Sequence, residues 1–145
     1  MDRVFSGWPF WAVMSAVFAA ATAIFAKIGI NGINSNLATL IRTGVILMAG
    51  AVFVAATNSW QSPSSLSQKT WLFLVLSGLA TGASWFCYFH ALKLGDAARV
   101  APVDKLSVVF VAVIATTVLG EKLSAANWLG VALIAGGSVL VAWRT

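Results

Sequence analysis

Charge is what this chain has least of. Its 145 residues carry nine Lys or Arg and four Asp or Glu, so 9% are charged against 60% hydrophobic. An ordinary soluble domain is roughly 25% charged, and this few charges cannot cover a water-soluble globule of 15.2 kDa. A soluble enzyme, a disordered tail and a nucleic-acid-binding domain are excluded on that ground. The basic residues are also spread singly along the chain, whereas a nucleic-acid footprint is a cluster or a stripe. The single cysteine, Cys87, cannot form an intrachain disulfide. One histidine and one cysteine cannot supply a metal set from the usual ligands. No G-x-x-x-x-G-K-S/T run is present, so ATP is not the direct energy source. No G-x-S-x-G supports a Ser-His-Asp triad. Neither a cofactor nor enzymatic chemistry is expected.

Long apolar runs take the place of charge, with a mean hydropathy of +0.92. A helix needs about 20 mostly apolar residues to cross a hydrocarbon core of roughly 30 Å. Five segments meet that need: Trp8 to Ala26, Leu37 to Thr57, Trp71 to Leu92, Ala97 to Leu119 and Ala126 to Trp143. The connectors are short and rich in turn formers, as in Gly29 to Asn36 (GINGINSN) and Asn58 to Lys69 (NSWQSPSSLSQK). The runs are too continuous for the alternating pattern of a membrane barrel, and helices satisfy their backbones internally in lipid. The fold class is therefore an all-α membrane protein, a bundle of five transmembrane helices. A cleaved signal peptide is the competing reading of the first segment, because Ala19 to Ala21 imitates a cleavage site. The apolar run reaches Phe25, longer than a typical signal core, and favours a retained helix. Tryptophans 8, 11, 60, 71, 128 and 143 fall near segment ends like an aromatic belt, and Trp85 alone lies well inside a segment.

Five crossings put the termini on opposite sides. Arg3, Lys69 and Lys122 then share one side; Lys27, Lys93, Arg99 and Arg144 share the other. That bias is weak under the positive-inside rule. It permits insertion in both orientations, and hence an antiparallel pair, with a single fixed orientation as the alternative. Small residues recur at helical spacing: Ala12, Ala16 and Ala20, with Ser15, Ala19 and Ala23 beside them; Gly78 and Gly82; Ala132 and Gly136. Such rows let helices approach closely in lipid. Packing within the chain is expected for the first and third helices. The fifth is the candidate dimer contact.

Ionisable residues inside membrane segments are costly and mark functional sites. Lys27 ends the first helix and is expected to snorkel. Arg42 stands five residues into the second segment, about 7–8 Å deep, and either snorkels or serves a site. Asp104 and Lys105 are neighbours, and adjacent helical residues point about 100° apart, so they are not expected to neutralise each other. Two readings of this stretch stand. If the fourth helix starts at Pro102, proline holds the favoured first position and Asp104 sits in the stabilising first turn. If it starts near Ala97, Pro102 interrupts it and brings both charges close to a discontinuity of the kind found in transporter sites. His90 is a candidate proton relay or a hydrogen-bonded structural histidine.

From Ala83 the chain reads ASWFCYFHALKLGDAARVAPVDKLSVVFVAVIATTVLGEKLSAANWLGVALIAGGSVLVA. Four features stand out: Phe89 to Leu92, Pro102 after small residues, Leu119-Gly120-Glu121, and Gly130 before Leu133-Ile134-x-x-Gly137. This resembles the closing half of an EamA domain of the drug/metabolite transporter superfamily. The resemblance implies one such transmembrane domain over residues 1–145. It also implies half of a ten-helix inverted-repeat transporter, since most members carry two five-helix repeats. A homodimer of antiparallel protomers in a bacterial inner membrane follows, exporting a small metabolite by proton- or gradient-coupled alternating access. Carried over, the resemblance puts Arg42, Trp85, Tyr88, Asp104 and Lys105 near the substrate cavity. Asp104 is then the proton-coupling candidate beside His90, and Glu121 a structural residue at a helix end. The small multidrug exporters of the superfamily use an acid in the first helix. This first helix has none, so the cations at 27, 42 and 105 favour an anionic or zwitterionic substrate. The rivals are a non-transporting membrane subunit that pairs with another half-length chain, and an exporter of lipophilic cations.

Overall fold

The computed structural model describes residues 7–143; Arg3 and Arg144, both used in the charge comparison above, lie outside them. The architecture is all-helical, and no strand occurs among the described residues. The helices are α1 (Trp8–Gly29), α2 (Ser35–Ala56), α3 (Gln68–Leu94), α4 (Ala97–Asp104), α5 (Ser107–Val118) and α6 (Ala125–Ala142), with a 3₁₀ turn at Pro63–Ser65. α4 and α5 together make one 22-residue span, Ala97–Val118, so five spans are long and apolar enough to cross a membrane. Each span matches its expected segment, with ends displaced by three residues or fewer.

Local chemistry explains where the helices begin and end. Asn34 caps α2, its side chain accepting from the Asn36 amide at 2.8 Å. Ser124 and Asn127 form a reciprocal capping box at the start of α6, the Ser124 hydroxyl accepting from the Asn127 amide at 3.2 Å. The end of α5 depends on Gly120, whose φ of +70° lies in the left-handed region. That turn returns the Glu121 amide to the Ala115 carbonyl at 3.1 Å. The Leu-Gly-Glu run is therefore a helix stop followed by a reversal, and Glu121 owes its position to the glycine before it.

The chain divides into two compact units. One comprises residues up to Lys27 together with Leu94 onward; the other comprises Ile28–Lys93. In the first unit α4 and α5 both pack against α6. Lys27 donates to the Gly95 carbonyl at 2.8 Å, so it clamps a connector instead of snorkelling. In the second unit Lys93 does the same for Ile33, at 3.1 Å, and the Trp71 indole N–H donates to the Pro63 carbonyl at 3.2 Å.

Little of the chain is buried. No span has more than 11% of its most apolar window buried, and most of the interior residues are small: Ala23, Ala26, Ala38, Ala112, Ala115, Ser35 and Ser138. Without a hydrophobic force between helices in lipid, close approach of small residues does the packing. The row Ser15, Ala19, Ala23 turns progressively inward, while Ala12, Ala16 and Ala20 are exposed. The expectation of close packing at the third helix is not met among the described residues: a Cβ added at Gly78 or Gly82 would meet nothing within 4 Å. The Ala132–Gly136 row of α6 is likewise exposed.

Candidate functional site

Arg42 lies in α2, seven residues after its first residue, about 10 Å along the helix axis. A guanidinium at that depth needs partners, and α3 supplies aromatic faces. The Arg42 guanidinium carbon sits 3.7 Å from the centroid of the Trp85 ring and 5.5 Å from that of Phe89. Trp85 and Phe89 are four residues apart, so they stack on one face of α3 and present two rings to one cation. Tyr88 belongs to the same face, is half-buried, and interacts electrostatically with the guanidinium. Phe89 is 2% exposed and Leu92, one turn further, is fully buried. Among the described residues, no carboxylate lies within ion-pair distance of Arg42. Its positive charge is solvated by π faces, which leaves its N–H groups available to an anion.

One turn before Arg42, Thr39 is 2% exposed. Its hydroxyl donates to the Ser35 carbonyl at 3.0 Å, and the Thr43 hydroxyl donates to the Thr39 carbonyl at 2.8 Å. These threonines satisfy themselves on their own helix. Sequence reasoning missed Phe89 and Thr39. The signal for Phe89 was its spacing of four from Trp85; no pattern pointed to Thr39.

The second charged position is the break in the fourth span. The structure selects the start at Ala97, with Pro102 inside α4. Proline has no amide hydrogen to return to the Ala98 carbonyl. Past it the chain tightens: the amides of Leu106, Val108 and Val109 bond three residues back, to Val103, Lys105 and Leu106. Regular α-helix resumes at Ser107. The expectation that Asp104 and Lys105 do not neutralise each other is corrected here. Lys105 caps α4 with its backbone still helical, and its long side chain folds back so that Nζ reaches Asp104 Oδ2 at 3.4 Å. Both are partly exposed, Asp104 at 37% and Lys105 at 56%. His90 is exposed on α3, off the face that carries Trp85, Tyr88 and Phe89.

The structure thus brings Arg42, Trp85 and Tyr88 together in one unit, and Asp104 with Lys105 in the other. Of the cations expected inside the membrane, Lys27 is engaged by a carbonyl and Lys105 by a carboxylate. Arg42 has aromatic partners.

Residues 6–143 match the model of the EamA-like transporter family. The chain belongs to that family. The match takes in all five spans, including the first. A Sinorhizobium sp. protein named "Uncharacterized transporter in cobO 3′ region" is 65% identical over 135 residues, covering 93% of this chain and 96% of that protein. A Pseudomonas fluorescens protein named "Probable 4-amino-4-deoxy-L-arabinose-phosphoundecaprenol flippase subunit ArnE" is 33% identical over 112 residues, covering 74% of this chain and 96% of that protein. No solved structure matches. This EamA-family chain is a membrane transporter of the drug/metabolite superfamily, multi-pass in the bacterial inner membrane.

Proposed function

We propose that this EamA-family chain is a single-domain half-transporter that exports a small anionic or zwitterionic metabolite by alternating access, as an antiparallel homodimer. The observation that carries the substrate class is Arg42, a membrane-embedded guanidinium held over Trp85 and Phe89 with no carboxylate partner among the described residues. A planar fork of N–H donors matches a carboxylate or a phosphate. Trp85 and Tyr88 orient it and shape the substrate's surroundings.

Asp104 is proposed as the proton-linked acid. Its partner Lys105 is adjacent, at the end of α4, so protonating Asp104 releases the ammonium beside the helix break. A change of charge at a discontinuity is a means of coupling proton movement to helix rearrangement. His90 is the second candidate and is separable from the first. Loss of substrate-dependent proton movement in Asp104→Asn, with His90→Ala unaffected, is the expected result in proteoliposomes; unchanged coupling in Asp104→Asn overturns the assignment.

Pairing is supported by the exposed small-residue rows at Ala12–Ala20 and Ala132–Gly136, by the open space beside Gly78 and Gly82, and by the weak charge bias. One relative, covered over 96% of its own length, is named a flippase subunit, and that observation favours a second reading, pairing with a different half-length chain. Paired reporters on both termini, one active only in the cytoplasm and one only outside, decide between them. Both reporters active at each terminus is the expected result. One fixed orientation overturns the homodimer and turns the search to a partner protein.

A further inference from the structure

Five spans in sequence put the α1–α2 and α3–α4 connectors on one side of the membrane and the α2–α3 and α5–α6 connectors on the other. The two sides are tied differently. Lys27 and Lys93 each stand in the last turn of a helix that runs to the first side, where a cation is favoured by the helix dipole. Each also reaches a backbone carbonyl far along the chain. Lys27 donates to Gly95, 68 residues away, at 2.8 Å, and Lys93 donates to Ile33, 60 residues away, at 3.1 Å. The exchange is reciprocal: the end of α1 holds the α3–α4 connector, and the end of α3 holds the α1–α2 connector.

Among the described residues, nothing comparable ties the other side. Its connector bonds are local, and the Trp71 to Pro63 bond spans only eight residues. The last connector is closed by the Glu121 amide and by the Ser124–Asn127 box. Lys69 and Lys122, the lysines of that side, are exposed, and neither side chain makes a hydrogen bond or ion pair among the described residues. The two latching lysines also differ from the Asp104–Lys105 pair. Their acceptors are carbonyls, which take up no proton, so these ties are released by moving a segment and not by titrating an acid.

We propose that Lys27 and Lys93 are latches that hold the side of the α1–α2 and α3–α4 connectors closed, and that opening to that side breaks both bonds. The inference rests on the alternating-access reading above and adds which side is locked and by which residues. Ser35, the first residue of α2, is 8% exposed and lies two residues past the carbonyl that Lys93 holds; Ala26, beside Lys27, is 9% exposed. Each keeps its cover while its latch holds and loses it when the connector lifts.

Thiol labelling of the full chain in lipid nanodiscs, where both faces meet a charged methanethiosulfonate, tests this. In a Cys87→Ser background, because Cys87 is itself exposed, Ser35→Cys and Ala26→Cys report on the two latches. Lys93→Met should raise the modification rate of the first reporter about tenfold, and Lys27→Met that of the second by as much, the low end for a hydrogen bond from a charged group. Lys27→Arg and Lys93→Arg keep an N–H donor and should restore most of the protection. Lys69→Met and Lys122→Met, on the unlatched side, should leave both rates unchanged. Unchanged rates in Lys27→Met and Lys93→Met overturn the latches, and so does an equal rise with Lys69→Met, which would mark general loosening. Wild-type reporters that never react, beside methionine variants that do, would leave the latches standing and overturn the alternation they are proposed to serve.

Discussion

Arg42 and the Asp104–Lys105 pair lie at the same distance, about 10 Å, from the first residue of their helices, yet each answers the cost of a membrane charge differently. Arg42 is stabilised by the faces of two rings on a neighbouring helix and keeps its hydrogen-bond donors. Asp104 and Lys105 are stabilised by each other, on consecutive residues, at the expense of a regular helix. The first arrangement leaves a charge ready for a ligand. The second holds its two charges against each other. The two arrangements lie in separate units.

The sharpest way to break that comparison is to remove the unpaired cation. Arg42→Ala should lower transport of an anionic or zwitterionic substrate about 100-fold, the scale for losing a desolvated charge contact. Arg42→Lys should fall well short of wild type, since an ammonium neither stacks over two rings nor offers a planar fork. Flux into proteoliposomes measures both.

The pair is tested by breaking it and then removing it. Lys105→Met leaves Asp104 without a partner and should cut flux about tenfold, whereas the double variant Asp104→Asn/Lys105→Met should recover stability that the single variant loses. Thermal melting in detergent and flux together separate the two effects. If the single and double variants melt alike, the pair is not holding the junction.

Smaller effects sharpen the account. Trp85→Leu removes the nearer of two rings and should weaken binding about fivefold, within the range for a cation–π contact; Phe89, the more distant ring, should cost less when changed to Leu. Gly120→Ala places a Cβ at a φ of +70° and should lower stability by about 1 kcal/mol through strain alone, with no change in substrate preference. An equilibrium unfolding series checks that last point.

The five spans were legible in the sequence because length and apolar continuity are strong, local signals. The charged positions were legible as residue types but not as arrangements. Arg42 and Trp85 belong to different helices, and no spacing rule joins them. On residue physics alone Pro102 allowed two starts for the fourth span, because Ala97 to Ala101 is short and carries Arg99; the family resemblance favoured Pro102 within the helix, where the structure has it. The pairing of Asp104 with Lys105 depended on the reach of the lysine side chain at the end of α4, which the rule for neighbours within a helix does not count. Gly78 and Gly82 carried a packing motif that meets nothing within 4 Å of an added Cβ among the described residues. A small-residue row reports that something packs there and is silent about what.

The central claim is that Arg42 is the substrate's anchor, and its nearest neighbour is itself a reporter. In a full-length chain whose other six tryptophans are changed to phenylalanine, Trp85 emission can be followed while small carboxylates, zwitterions and lipophilic cations are added in turn. The account predicts a saturable change with an anionic or zwitterionic solute, absent in Arg42→Lys, and none with tetraphenylphosphonium. A saturable response to the lipophilic cation, with none to the anions and zwitterions, would contradict it.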